Sequence, residues 1–161
     1  MPGSDEWHGS HGGFRSDWDP SPQDYLTVQG DFFGTSEAQP ITTLVSSDLP
    51  DLHTFNHKAK SAADNILTRW NHTFSDGSEA AMQLYYDRNR RTDQGTMASL
   101  NTGDFDFQYH FHPSARNDLV AGAGYRRLDL DFTSGYSLGY NVNHRTQNLL
   151  SLFAQDEIRN Q

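Results

Sequence analysis

Polar and apolar residues alternate with a period of two wherever this chain is regular. In the clearest run, residues 104–112, Phe105, Phe107, Tyr109 and Phe111 fall on one side, and Asp104, Asp106, Gln108, His110 and His112 on the other. Successive side chains of an extended strand point to opposite faces, so this run predicts a strand with one apolar and one polar face. A turn at Pro113-Ser114-Ala115-Arg116-Asn117 leads into a second run, 118–132. There Leu119, Ala121, Ala123 and Tyr125 share one face and Val120, Gly122, Gly124 and Arg126 the other, and the two runs predict a hairpin.

A second hairpin brackets the turn signal Asp76-Gly77-Ser78. Ile66, Thr68, Trp70, His72 and Phe74 precede it; Ala80, Met82, Leu84 and Tyr86 follow, with Ala81, Gln83, Tyr85 and Asp87 on the opposite face. A third flanks Pro20-Ser21-Pro22-Gln23, between 13–19 and 25–34, the latter with Leu26, Val28, Gly30 and Phe32 on one side. Residues 147–158 are regular, but their faces are not assignable from the pattern. The intervening stretches 35–64, 89–99 and 133–146 read as irregular, so short connections alternate with long ones across about seven strands. Short periplasmic turns and long extracellular loops are the layout of an outer-membrane barrel, and 118–128 has the ~9–11 residues of a tilted spanning strand. Trp18, Tyr25, Phe74 and Phe111 stand near the short turns, and Phe32, Phe33, Tyr86, Tyr125 and Phe132 near the long connections, as two interfacial belts. The expected fold is therefore all-β: an antiparallel, up-and-down transmembrane β-barrel segment. An odd strand count leaves an edge, which implies an arc of a larger barrel. The competing expectations are a soluble β-sandwich or small β-barrel ligand-binding module, and a passive porin-like pore.

Composition narrows the choice. Apolar residues are 34% of 161 and mean hydropathy is −0.80, which disfavours a thick dry core, yet 12% aromatics is too many for a disordered chain. No stretch approaches the ~20 apolar residues of a spanning helix, a test that low-hydropathy barrel strands do not have to meet. Absence of cysteine excludes thiolate chemistry and suits an oxidising periplasm. A net charge of −9, with Arg88, Arg90 and Arg91 as the nearest basic cluster, excludes nucleic acid as the main partner. Met1-Pro2-Gly3-Ser4 does not open a signal peptide, so an exported protein would have further sequence upstream.

The segments His11-Gly12-Gly13-Phe14-Arg15-Ser16-Asp17-Trp18 and Asp24-Tyr25-Leu26-Thr27-Val28-Gln29-Gly30-Asp31 resemble early barrel strands of TonB-dependent outer-membrane receptors. The run Leu67-Thr68-Arg69-Trp70-Asn71-His72-Thr73-Phe74-Ser75-Asp76-Gly77-Ser78, with Gln83-Leu84-Tyr85-Tyr86-Asp87-Arg88, is similar to a recurrent hairpin there. Asp104-Phe105-Asp106-Phe107-Gln108, Gly122-Ala123-Gly124-Tyr125-Arg126 and Ser151-Leu152-Phe153-Ala154-Gln155-Asp156-Glu157-Ile158 continue in the family's order. The resemblance rests on order and spacing, not on one motif, and covers nearly all of the chain except the long connections. It implies that residues 1–161 are part of the barrel domain of a larger receptor of about 22 strands, without its plug domain, TonB-contacting motif and C-terminal strands. It further implies location in the bacterial outer membrane, contact with its lipid, and TonB-energised uptake of a scarce ligand such as a ferric siderophore or a cobalamin, the TonB complex acting through the plug region.

On that reading the candidate ligand-binding residues are Tyr136, Tyr140, His144 and Arg145, with Arg126 beneath them, since aromatics and cations suit a bulky anionic chelate. His110 and His112 share a face with Asp104 and Asp106, but no third ligand can be placed by sequence, and no metal site or cofactor is expected. His8, His11, His53 and His57 lie outside any regular pattern and receive no role. The acid pairs Asp129/Asp131 and Asp156/Glu157 stand alone. No Gly-x-Ser-x-Gly elbow, phosphate-cradling glycine loop or metalloprotease helix accompanies them, so no enzyme is expected. Asn71-His72-Thr73 is a glycosylation sequon without meaning in a bacterium.

Overall fold

The computed structural model describes residues 6–44, 52–135, 139 and 141–158. These residues form seven strands: β1 (Trp7–Ser21), β2 (Asp24–Leu44), β3 (Leu52–Thr73), β4 (Glu79–Asp93), β5 (Thr96–Ser114), β6 (Asn117–Thr133) and β7 (His144–Ile158). They make one antiparallel sheet in chain order, each strand paired with the next. β1 and β7 do not meet, so the meander is an open sheet with two edges. The all-β, up-and-down architecture is as the alternation predicts.

Two stretches expected to be irregular are strand instead. Residues 35–64 are mostly the extended ends of β2 and β3, paired from Thr35↔Ser61 out to Leu44↔Leu52, and these strands reach 21 and 22 residues. Their outer halves are mostly polar on both sides, with apolar residues only at scattered pairs such as Ile41↔Phe55 and Leu44↔Leu52, so no alternation marks them, although the backbone ladder continues. Residues 89–99 also pair throughout, from Asn89↔Leu100 to Asp93↔Thr96. The reversal is made by Gln94 and Gly95 alone, at φ 49° and 76°, the pair of left-handed residues that a two-residue hairpin turn needs. Gln94 hides that turn because Asn or Asp is the usual residue at its position. His57 supports it by accepting the Gln94 N–H at Nε2, 2.7 Å away. Residues 45–51 of the first stretch lie outside the described residues, and the β6–β7 connection, around 134–143, keeps irregular structure among its described ones.

The turns Pro22-Gln23, Phe74–Ser78 and Ala115-Arg116 lie together at one rim, and the β4–β5 turn, the described part of the β6–β7 connection and the paired ends of β2 and β3 at the other. The register carries one apolar row across all seven strands: Trp18, Leu26, Trp70, Met82, Phe107, Ala123 and Leu152 are successive partners. The adjacent row is Ser16, Val28, Thr68, Leu84, Phe105, Tyr125 and Leu150. Residues 147–158 are thereby resolved: Leu150, Leu152 and Ala154 join the apolar face, and Leu149, Ser151 and Phe153 the other.

No second layer covers that apolar face among the described residues. No large side chain is fully buried, and Phe14, Phe32 and Leu152 are 57%, 58% and 75% exposed. A face six strand intervals wide and about 20 Å tall presents roughly 600 Å² in projection, the upper end of what a soluble monomer leaves bare. What organises the sheet is its ladder and its cross-strand pairs. Gly30 lets the Phe14 ring lie flat on β2: a Cβ there would stand 2.8 Å from that ring and 2.8 Å from the Asn65 carbonyl oxygen.

Candidate functional site

The apolar face is bounded by aromatic residues whose polar atoms point out of it. At the short-turn rim, Trp70, His72, Phe74, Tyr109 and Phe111 form a chain of rings with successive centroids 5.6, 4.4, 5.9 and 5.3 Å apart. Asp24 anchors it, accepting from the Trp70 indole N–H at 2.9 Å and bonding His72 Nδ1 at 2.7 Å. The Tyr109 hydroxyl reaches the Ser78 hydroxyl at 3.0 Å. In the Phe74–Ser78 turn, Asp76 accepts from the Ser78 hydroxyl (2.7 Å) and N–H (3.0 Å), bonds that hold its carboxyl below the usual carboxylate range. At the far boundary, Tyr86 and Tyr125 donate upward to Asn101 (3.1 Å) and Asn148 (2.8 Å). Trp70, Tyr86, Tyr109 and Tyr125 thus keep their rings against the apolar face and direct their polar atoms to partners near a rim.

These boundaries run obliquely to the strand pairing. Phe32 on β2, Tyr86 on β4 and Tyr125 on β6 step toward the short-turn rim by two residues for every two strands, since the partners of Phe32 in that row are Arg88 and Asp129. Trp18 on β1 and Phe111 on β5, the two outermost rings of the other boundary, are offset in the same sense by four residues over four intervals, Phe107 being in the row of Trp18, while Trp70 between them stays in that row. At ~3.4 Å per residue and ~4.8 Å between strands, both lines slope by about 35° to the rows. Along a strand they lie about seven residues, or ~24 Å, apart.

The opposite face carries paired charged and polar side chains, with Phe33, Leu130, Leu149 and Phe153 also exposed on it. Asp17 accepts from Arg15 Nε (3.0 Å), Thr27 (2.7 Å) and Tyr25 (3.1 Å). Arg69 donates to Gln83 at 2.6 Å, and Arg126 pairs with Asp104 directly across the β5–β6 ladder. Near the short-turn rim His110 is bonded to Asp118, His112 Nε2 lies 3.5 Å from the same carboxylate oxygen, and Glu79 lies 3.8 Å from His110 Nδ1.

Among the expected ligand-binding residues, Tyr136 and Tyr140 lie outside the described residues. The other three are not gathered in one place. Arg126 and Arg145 are on the polar face, but Arg145 pairs with Leu130, four residues beyond Arg126. His144 is on the apolar side, bonded to Asp131 at 2.7 Å. Asp104 and Asp106 stand farther up β5 and do not join His110 and His112; the residue that does is Asp118, which in the sequence opens the run after the turn. A hairpin centred on Ala115-Arg116 folds residue 118 back beside residues 110–112, so the predicted turn already held that signal. Comparison of the chain with protein-family models, with curated proteins and with solved structures found no match.

Proposed function

We propose that this chain forms part of the wall of an outer-membrane β-barrel, its apolar face toward hydrocarbon and its polar face toward the lumen. The barrel is of the TonB-dependent receptor type that its segments resemble, serving uptake of a ferric siderophore or similar chelate and not catalysis. The observation that carries the membrane reading is the slope of the two aromatic lines. Strands in bacterial barrels tilt by ~35–45° to the membrane normal, so a band parallel to the bilayer must cross the ladder rows at that angle. A band fixed by packing within a soluble sheet has no reason to keep one slope at both boundaries. With the tilt included, the lines are ~20 Å apart along the normal, close to the apolar band of about 25 Å in such barrels. Aromatic bodies in the band with polar atoms at its margins fit the two interfaces. Each edge strand needs a partner there, because an unpaired backbone group in hydrocarbon costs several kcal/mol, and further barrel strands or, for this chain alone, the edges of a second copy supply it.

The experiment is fractionation of cells making the full chain with an export signal. The reading predicts recovery from outer membranes with detergent and not with high salt. A compact monomer, stable in plain buffer, refutes it in favour of a soluble module.

A further inference from the structure

We propose that His110, His112 and Asp118 form a binding site for a divalent metal ion of the zinc class, on the polar face beside the β5–β6 turn. One donor atom from each of the three lies within 4.8 Å of the others. Two ligands of a tetrahedral ion at ~2.0–2.1 Å are themselves ~3.3 Å apart. His112 Nε2 and Asp118 Oδ1, at 3.5 Å, already have that spacing. His110 Nε2 is hydrogen-bonded to that same oxygen, so the two imidazoles share one carboxylate, and an ion would replace that hydrogen bond by opening it to the ligand–ligand spacing. The remaining adjustment is rotation of solvent-accessible rings, since the His110 and His112 side chains are 33% and 44% exposed.

Two imidazoles and one carboxylate, with an open side for water, suit zinc, cobalt or nickel better than the all-oxygen shells of calcium and magnesium. Glu79 Oε2 lies 3.8 Å from the other nitrogen of His110, on the side where a ligating histidine commonly has a carboxylate partner that orients the ring. The three donors come from a single hairpin, fixed by the pairs His110↔Val120 and Phe111↔Leu119. The site therefore does not depend on what covers the apolar face or on which ligand a barrel would carry.

The test is titration of the full chain, folded in detergent and stripped with a chelator, by Zn²⁺ in a calorimeter and by Co²⁺ in a visible spectrometer near neutral pH. The expected result is about one equivalent bound, with intense cobalt bands of a nitrogen- and oxygen-ligated tetrahedral ion. Asp118→Asn should weaken binding by about tenfold or more. His110→Gln with His112→Gln should abolish the bands, while Asp106→Asn, on the same face of β5, leaves both readouts unchanged. Circular dichroism of each variant separates ligand loss from misfolding. The proposal is overturned if the folded wild-type chain takes up no ion, or if the His110, His112 and Asp118 variants bind as it does.

Discussion

Arginine placed along the apolar face gives a depth profile that separates a membrane band from a packed sheet. Leu26 and Phe107 belong to one ladder row, but the aromatic lines put them at different heights. Phe107 stands four residues above Phe111, midway between the lines. Leu26 stands about one residue above the lower line, whereas Val28 is near the midpoint on β2. An arginine at the midplane of a bacterial barrel costs about 2–4 kcal/mol, falling to about 0–1 near an interface. Taking each cost relative to alanine at the same site removes lost packing. Phe107→Arg, Val28→Arg and Ala121→Arg should then each destabilise by about 2–4 kcal/mol, and Leu26→Arg by about 1 kcal/mol or less. Gln108→Arg, one residue from Phe107 but on the polar face, should be near neutral. The assay is urea unfolding of the chain in phospholipid vesicles followed by tryptophan fluorescence. Equal costs at Leu26 and Phe107, or a profile that follows the ladder row, would refute the reasoning.

Three further outcomes follow from local geometry. Gly30→Val meets the Asn65 carbonyl and the Phe14 ring at 2.8 Å and should destabilise the β1–β2 pair by about 1–3 kcal/mol, read from the same unfolding curves. At the β4–β5 turn, Gln94→Asn should stabilise by about 0.5–1 kcal/mol, and Gly95→Ala at φ 76° should cost about 1 kcal/mol; loss of stability in Gln94→Asn would deny the left-handed turn. Asp76 has a folded pKa below its unfolded value, so its contribution is present above the ordinary carboxylate pKa of about 3.9 and fades as pH falls through the folded one. Wild type should therefore be more stable than Asp76→Asn at neutral pH, with the gap closing in acid; a gap independent of pH contradicts the bonds from Ser78.

The part of the fold legible in the sequence is the part that crosses the apolar band. There Phe105, Phe107, Tyr109 and Phe111 alternate with polar residues because one face is apolar and the other wet. Beyond the band the residues are mostly polar on both faces, and residues 35–44 and 52–64 lose the alternation while keeping the ladder. β7 defeats the pattern differently: Leu149 and Phe153 on one face oppose Leu150 and Leu152 on the other, so only its register with β6 assigns them. Phe153 has a reason on the polar side, since its ring lies over Gly122, where a Cβ would stand 2.3 Å from it. The histidine cluster was half legible. His110 and His112 are visible as a pair, but Asp118 joins them through hairpin register and not through proximity in a strand. The expected chelate residues His144, Arg145 and Arg126 share a pair of strands but not a face, a distinction that residue type and loop position do not encode.

The central claim is tested most directly by solvent accessibility on both faces in a bilayer. The chain has no cysteine, so single cysteines carrying a nitroxide can be placed at Val28, Met82, Phe107 and Ala121 and, on the opposite face, at Gln29, Gln83 and Gln108. In lipid vesicles the first set should relax with oxygen and be shielded from a water-soluble nickel chelate, and the second set should show the reverse. Equal access of the chelate to both sets, or shielding of both from oxygen by protein packing, contradicts a wall that faces hydrocarbon on one side and water on the other.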